Sequence, residues 1–302
     1  MKLQDALNKY YQDCLVGYSM FARSKRTVEN YKQTWQLFLH WLPIVDCLEL
    51  TDAILRRFFY KGDQERKWQP MTNISHRKNI SVFINWAQKK GYLQNNPLKD
   101  IPKPRMPQRI PKHHSKAEIE RMLYAVSLNP DYLQRIRNEA MIKFCCLAGL
   151  RRGELLSMKT MDLNMETKMI LVKAETSKSR KERWVPMPIT LYETMQKYLN
   201  ERKLFVLPDC MSLWISTTTK KALSDDGLKH IIQNLSKIVG FNIKLHSLRH
   251  SYGTYSYAGS HDIKAVQENM GHSDLSTTML YVNSLSDDKR QTAEMNPLNN
   301  LF

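Results

Sequence analysis

Five prolines fall between positions 97 and 111, in the stretch NPLKDIPKPRMPQRIPK. Each one removes a backbone N–H and fixes φ near about −65°, so this stretch can neither continue a helix nor enter the interior of a sheet. It reads as an extended basic linker. The chain is therefore expected to form a first unit over residues 1–96, a linker over 97–112 and a second unit over 113–302. A length of 302 residues leaves each unit enough chain for its own core.

Hydrophobic spacing before the linker is helical throughout. Leu3, Leu7, Tyr10 and Cys14 share one face, and Val28, Tyr31, Trp35, Phe38, Leu39 and Leu42 recur mostly at steps of three and four. A third helix is expected to open at Thr51 as N-cap, with Leu55, Phe58 and Phe59 inward. A fourth spans about Thr72 to Lys90, buries Ile80, Phe83, Ile84 and Ala87, and stops at Gly91. After the linker, Ser115 and Glu118 form a capping box. A helix from Ile136 to Leu147 ends at Gly149, and Glu154, Leu155 and Met158 lie on the next. Strand patterns occur only within 161–187, where MDLNMETKMILVK turns at Asn164–Thr167 and a loop TSKSRKER leads to WVPMP. Further helices are expected around Tyr192–Leu199 and Leu228–Ile238, with Leu213 to Ile215 in the core. The fold class is mainly α with a small antiparallel β-sheet.

The formal net charge is +17 and the sequence pI about 9.6, an excess that favours a polyanionic partner. Basic residues cluster near helix ends at Arg23, Lys25, Arg26, Arg77 and Lys78, and continue in the linker at Lys103 and Arg105. As a set they are expected to grip a DNA backbone. No apolar run reaches the ~18 residues of a membrane span, and the charged N-terminus is not a signal peptide. Five cysteines without C-x-x-C spacing read as reduced and structural in a cytosolic compartment, with Cys145 and Cys146 in the core. No His, Cys and carboxylate grouping has metal-ligand spacing, so no metal is expected.

The stretch His246 to Tyr281 carries the chemistry. His246 and Arg249 are three apart, on one helical face. Gly271-His272 marks a break between two helical patterns. Tyr281 follows in a segment opened by Ser273, Asp274 and Ser276, all good N-cap types. An arginine, hydrogen-bonding histidines and a tyrosine, with no acidic cluster, suit holding a phosphodiester and attacking it with a phenol.

Four boxes, with the Gly-His and tyrosine motifs counted as one, resemble the tyrosine recombinases, the phage-integrase family. HSLRH, NMGHS and TTMLY resemble that family's H-x-L-R-H, L-G-H-S and T-x-x-Y. AGLRRGEL resembles T-G-L-R-x-S-E-L, which implies a first catalytic arginine at Arg151 with Glu154 buttressing it; Ala148 and Gly153 depart from the pattern. SKSRKERWVP resembles G-K-G-x-K-E-R-x-V-P and implies a catalytic lysine at Lys178, with Ser177 and Ser179 replacing glycines and Lys181 as the alternative register. The helix of Tyr31, Phe38 and Trp41 and the exit GYLQNNPL resemble the family's N-terminal core-binding domain.

The resemblance implies an α+β catalytic domain and a clamp closed around double-stranded DNA. Arg151 and Arg249 would bind the non-bridging oxygens, and His272 would donate to the phosphate. His246 would be the base, Lys178 the acid and Tyr281 the nucleophile. A 3′-phosphotyrosine keeps the bond energy, so no cofactor is needed. His250 is expected to pack or support from behind. The apolar end Leu298, Leu301 and Phe302 resembles a segment that docks into a neighbouring protomer, implying a homo-tetramer on two DNA sites, with or without an accessory protein or partner recombinase, in the bacterial cytoplasm. The chain starts directly in the core-binding domain, so no arm-site-binding domain is expected. A catalytically silent DNA-binding relative and a type IB topoisomerase share much of this equipment. Integration and excision, inversion and dimer resolution remain open as roles.

Overall fold

A computed structural model describes residues 1–17, 22–106, 112–175, 181–272 and 274–282, with the backbone alone at 275–277 and 282. The chain divides into two compact units, Met1–Gln108 and Arg109–Phe302.

The first unit holds α1 (Leu3–Val16), α2 (Lys25–Trp41), α3 (Asp52–Tyr60) and α4 (Pro70–Lys89). Ser24 caps α2 by accepting from the Thr27 amide, and Thr51 caps α3 by accepting from the Ile54 amide. Gly91 follows α4 with φ of 73°, the left-handed conformation that closes a helix. The core is aromatic: Trp35 and Phe83 lie 4.7 Å apart between ring centroids, and Phe38 and Phe58 lie 5.0 Å apart. Leu98 and Ile101, within the stretch read as linker, also pack into this core.

Arg77 departs from its expected place on a DNA-facing surface. It is 9% exposed, and its guanidinium donates to the carbonyls of Leu98, Ile101 and Pro102. It staples the exit segment to α4. Lys78, one residue and about 100° further round the helix, is exposed, as are Arg23, Lys25, Arg26, Lys103 and Arg105.

The second unit is built on α6 (Tyr132–Leu147), against which α5 (Lys116–Ser127), α8 (Ile189–Phe205) and α10 (Leu245–Ser260) pack. The Ser115–Glu118 capping box opens α5. Strands β1 (Leu163–Asn164), β2 (Met169–Val172) and β3 (Arg183–Pro186) form one antiparallel sheet in that order, with Ile170 opposite Val185. Ile170, Val172 and Val185 face the core. Leu213, Trp214 and Ile215 are fully buried, and the Trp214 indole donates to the Leu155 carbonyl at 2.7 Å. The remaining helices are α7 (Arg152–Ser157), α9 (Asp225–Val239), α11 (Ile263–Met270) and α12 (Leu275–Val282). The expected class, mainly helical with a small antiparallel sheet, is the observed one. The segment containing Lys178 and the tail beyond 282 lie outside the described residues.

Candidate active site

The site forms where two chain breaks, after α6 and after α11, meet helices α10 and α12. After α6 the chain turns through Gly149 at φ of 61°, where an added Cβ would lie 2.4 Å from the Tyr252 ring. Only glycine fits that turn. The turn delivers Arg151 to the start of α7. There the Arg151 amide donates to Glu154 Oε2 at 2.9 Å, and its Nη1 donates to Glu154 Oε1 at 2.7 Å. Glu154 is 2% exposed.

Helix α11 ends at Met270, and Gly271 at φ of 63° turns the chain away. The last carbonyls of a helix lack partners within it and carry its negative dipole end. Here three guanidiniums take them. Arg183 Nε donates to Asn269 O at 2.8 Å, Arg249 Nη2 to Met270 O at 2.7 Å, and Arg151 Nη2 to Gly271 O at 2.8 Å. Behind these cations lies Glu154. Arg183 donates to both of its oxygens, at 3.1 and 2.9 Å, and Arg249 Nη1 stands 3.9 Å from Oε2. Burial would raise the Glu154 carboxyl, but the Arg183 contact and then Arg151 hold it below the usual carboxylate range. Three cations against one carboxylate leave an excess of positive charge. Burial, then Arg151, lowers even the Arg249 guanidinium to about 10. A cavity of about 380 Å³ opens beside Arg151, His246 and Arg249, with Arg152, Lys229 and Lys244 around it.

Helix α12 packs on α10 and α11 and brings in Tyr281. Its ring lies over Gly253 of α10, where a Cβ would meet Tyr281 Cε2 and Cζ at 2.5 Å. Its hydroxyl meets His250 Nδ1 at 2.9 Å. His272 is nearly parallel to the phenol, with ring planes at 17° and centroids 6.3 Å apart, and its Nδ1 pairs with the buried Thr278 hydroxyl at 2.9 Å. Burial pushes the Tyr281 phenol up to about 12 despite Arg249 and Arg151. Burial, then Arg249 and Arg151, holds His272 down at about 3, so it is neutral at physiological pH.

Arg151, Glu154, Arg249, His272 and Tyr281 thus come together, with His246 on the same helix as Arg249 and lining the cavity. Lys178 lies outside the described residues, and Lys181, its alternative, is exposed. Two residues were not assigned to the site in the sequence. Arg183 alternates with the exposed Trp184 and shares the inward face of Val185, so strand parity was its signal. His250, expected from the sequence to pack or support from behind, is four residues after His246 on the same helical face.

Excess positive charge beside a buried phenol suits the binding of a phosphate ester. The model of the phage integrase family matches residues 113–287. A tyrosine recombinase of Thermosipho africanus is 28% identical over 279 residues, covering 88% of this chain and 91% of that protein. The tyrosine recombinase XerC of Leptospira interrogans is 27% identical over 270 residues, covering 88% and 85%. Among solved structures, the XerH site-specific recombinase in a post-cleavage complex with its difH substrate superposes with a TM-score of 0.72 at 21% identity, over 96% of this chain and 83% of that one. A lambda integrase tetramer bound to a Holliday junction gives 0.72 at 17% identity, over 93% and 77%. The chain belongs to the phage integrase family. Its members are tyrosine recombinases, and this chain is a site-specific DNA recombinase that breaks and rejoins DNA strands.

Proposed function

We propose that this recombinase cuts one strand of a duplex with Tyr281 and keeps it as a 3′-phosphotyrosine while strands exchange. The observation that carries this is the cluster in which Arg151 and Arg249 hold the carbonyl end of α11 while His272 and the buried Tyr281 ring lie parallel beside them, with excess positive charge. Arg151 and Arg249 pair with the non-bridging oxygens by charge-assisted bonds and stabilise the extra charge of the transition state. With the Thr278 hydroxyl donating to Nδ1, the His272 proton sits on Nε2 and donates to a phosphate oxygen. As the Tyr281 oxygen bonds to phosphorus, its proton passes to His246. The bond to the 5′ oxygen breaks, and Lys178 supplies the proton that leaves with it. Glu154 and Arg183 hold the arginines in place.

The first unit grips the duplex backbone through Arg23, Lys25, Arg26 and Lys78, and Lys103 and Arg105 extend this contact. Lys25 and Arg26 stand in the first turn of α2, where cations oppose the helix dipole. A DNA phosphate would relieve that conflict. The relative described as a tetramer on a Holliday junction supports a homo-tetramer here, with residues 283–302 exchanged between protomers, and an accessory protein or partner recombinase fits the same reading. No helix among the described residues is long and apolar enough to cross a membrane. A cytoplasmic site of action accords with this.

The test uses a labelled, nicked duplex carrying the repeats that flank the native locus, without metal or nucleotide. Wild type is expected to give a denaturant-resistant protein–DNA adduct that Tyr281→Phe does not form. An adduct that persists in Tyr281→Phe would overturn the assignment and turn attention to Tyr252, Tyr255 and Tyr257.

A further inference from the structure

His250 stands outside the six residues given chemistry above, yet it touches the nucleophilic oxygen. Its Nδ1 lies 2.9 Å from Tyr281 Oη. His250 and Gly253 are three residues apart on α10, so one helical face supplies both a partner for the hydroxyl and a flat seat for the ring. On that seat a Cβ at Gly253 would intrude to 2.5 Å. His246 presents its ring to His250 at 69° and 4.2 Å between centroids, fixing the imidazole from behind. His272 lies nearly parallel to the Tyr281 ring, with centroids 6.3 Å apart. The phenol is thus located by ring contacts and by a bond at its reactive atom.

We infer that His250 is a further catalytic residue, which orients the Tyr281 oxygen for attack by accepting its hydrogen bond at Nδ1. This rests on Tyr281 as the nucleophile. The role is orientation and not proton removal. Burial, then His246 and Arg249, holds His250 at about 4, and burial holds the phenol at about 12. Transfer between groups so far apart is unfavourable, whereas a neutral imidazole protonated on Nε2 accepts well at Nδ1. His246 remains the proton acceptor once the phosphate anion has joined the site.

Single-turnover cleavage of the nicked duplex by the full chain tests this, with DNA affinity and melting temperature measured alongside. His250→Leu should slow adduct formation by about 30–100-fold, the scale expected for a misplaced reacting group, with DNA affinity changed less than about twofold. His250→Asn places an acceptor oxygen where Nδ1 stood and should recover to within about fivefold of wild type. His250→Gln, whose amide reaches the Nε2 position, should not recover. Wild-type cleavage by His250→Leu would overturn the inference while a silent Tyr281→Phe left the nucleophile standing. An adduct in Tyr281→Phe would remove the nucleophile and this inference with it. If His250→Leu does not fold, the Asn and Gln variants decide: equal rates overturn the inference, and faster cleavage by Asn upholds it.

Discussion

Replacing Glu154 by Gln keeps the shape of the site and removes its counter-charge. The carboxylate is almost fully buried and accepts from Arg151 at Nη1 and at its amide, and from Arg183 twice. An amide offers one acceptor oxygen, and its NH2 would face groups that only donate. Removing one partner of a buried ion pair costs about 3–5 kcal/mol, and here more than one cation is left behind, so about 4 kcal/mol is expected. A unit of this size loses about 2–4 °C per kcal/mol, so the melting transition of the second unit should fall by about 8–16 °C. Calorimetry on the full chain reads this directly. Sulfate should raise the variant's transition more than the wild type's, because an anion in the pocket replaces part of the missing charge. Arg183→Met should cost less on the Glu154→Gln background than on wild type, with a coupling of about 1 kcal/mol or more. A shift of less than about 2 °C would refute the reasoning, since the arginines would then be solvated well enough without this counterion.

Other outcomes follow from the same geometry. Gly253→Ala should displace the Tyr281 ring and slow cleavage by about 10–100-fold, while DNA affinity measured by fluorescence anisotropy stays unchanged. Arg77→Met should destabilise the first unit by about 2–3 kcal/mol in urea, because three carbonyls lose their donor. Lys78→Ala should instead lower the salt slope of DNA binding by about one and leave stability alone. His250 and His272 are held below the ordinary histidine value in the fold, so the unfolded chain binds more protons than the folded one as pH falls below about 6.5. Stability should therefore decline from that pH down towards 4, and the double variant His250→Asn, His272→Asn should flatten the decline. Glu154 acts lower: its folded value is depressed, so its contribution is present at neutral pH and fades below the usual carboxylate range.

Much of this could be read from the sequence because the relevant signals are local. Apolar spacing gave the first-unit helices, and Thr51, Ser115 and Gly271 marked ends that the backbone confirms. The breaks at Gly149 and Gly271 put Arg151 and His272 at helix junctions, and the resemblance to the family's motifs implied their place in the site. What was hidden depends on contacts between distant segments. Arg77 looked like one more surface cation until the carbonyls of Leu98, Ile101 and Pro102 closed over it, 21 or more residues away. Arg183 is one of several basic residues in its hairpin, and only the pairing of β2 with β3 aims it at Glu154, 29 residues earlier. His250 sat in a recognised motif, but its meeting with Tyr281 requires α12 to fold back 31 residues later.

The arrangement also explains why the site can rest without harm and still react. In the proposed mechanism Arg151 and Arg249 face the phosphate while Arg183 braces them, yet packed alone the three guanidiniums would repel one another. Two built-in acceptors manage this: the Glu154 carboxylate on one side and the carbonyl end of α11, with its negative dipole, on the other. Together they orient the arginines without neutralising them. Burial, and after it the neighbouring positive charge, keeps His250 and His272 neutral. That charge also works against the burial that keeps Tyr281 protonated. A phosphodiester entering the pocket supplies the missing negative charge, which favours protonation of a neighbouring histidine and so eases removal of the phenol's proton. Under the proposed mechanism Tyr281 is restrained until the anion it attacks is present, and Glu154 sets how strongly the empty site calls for that anion.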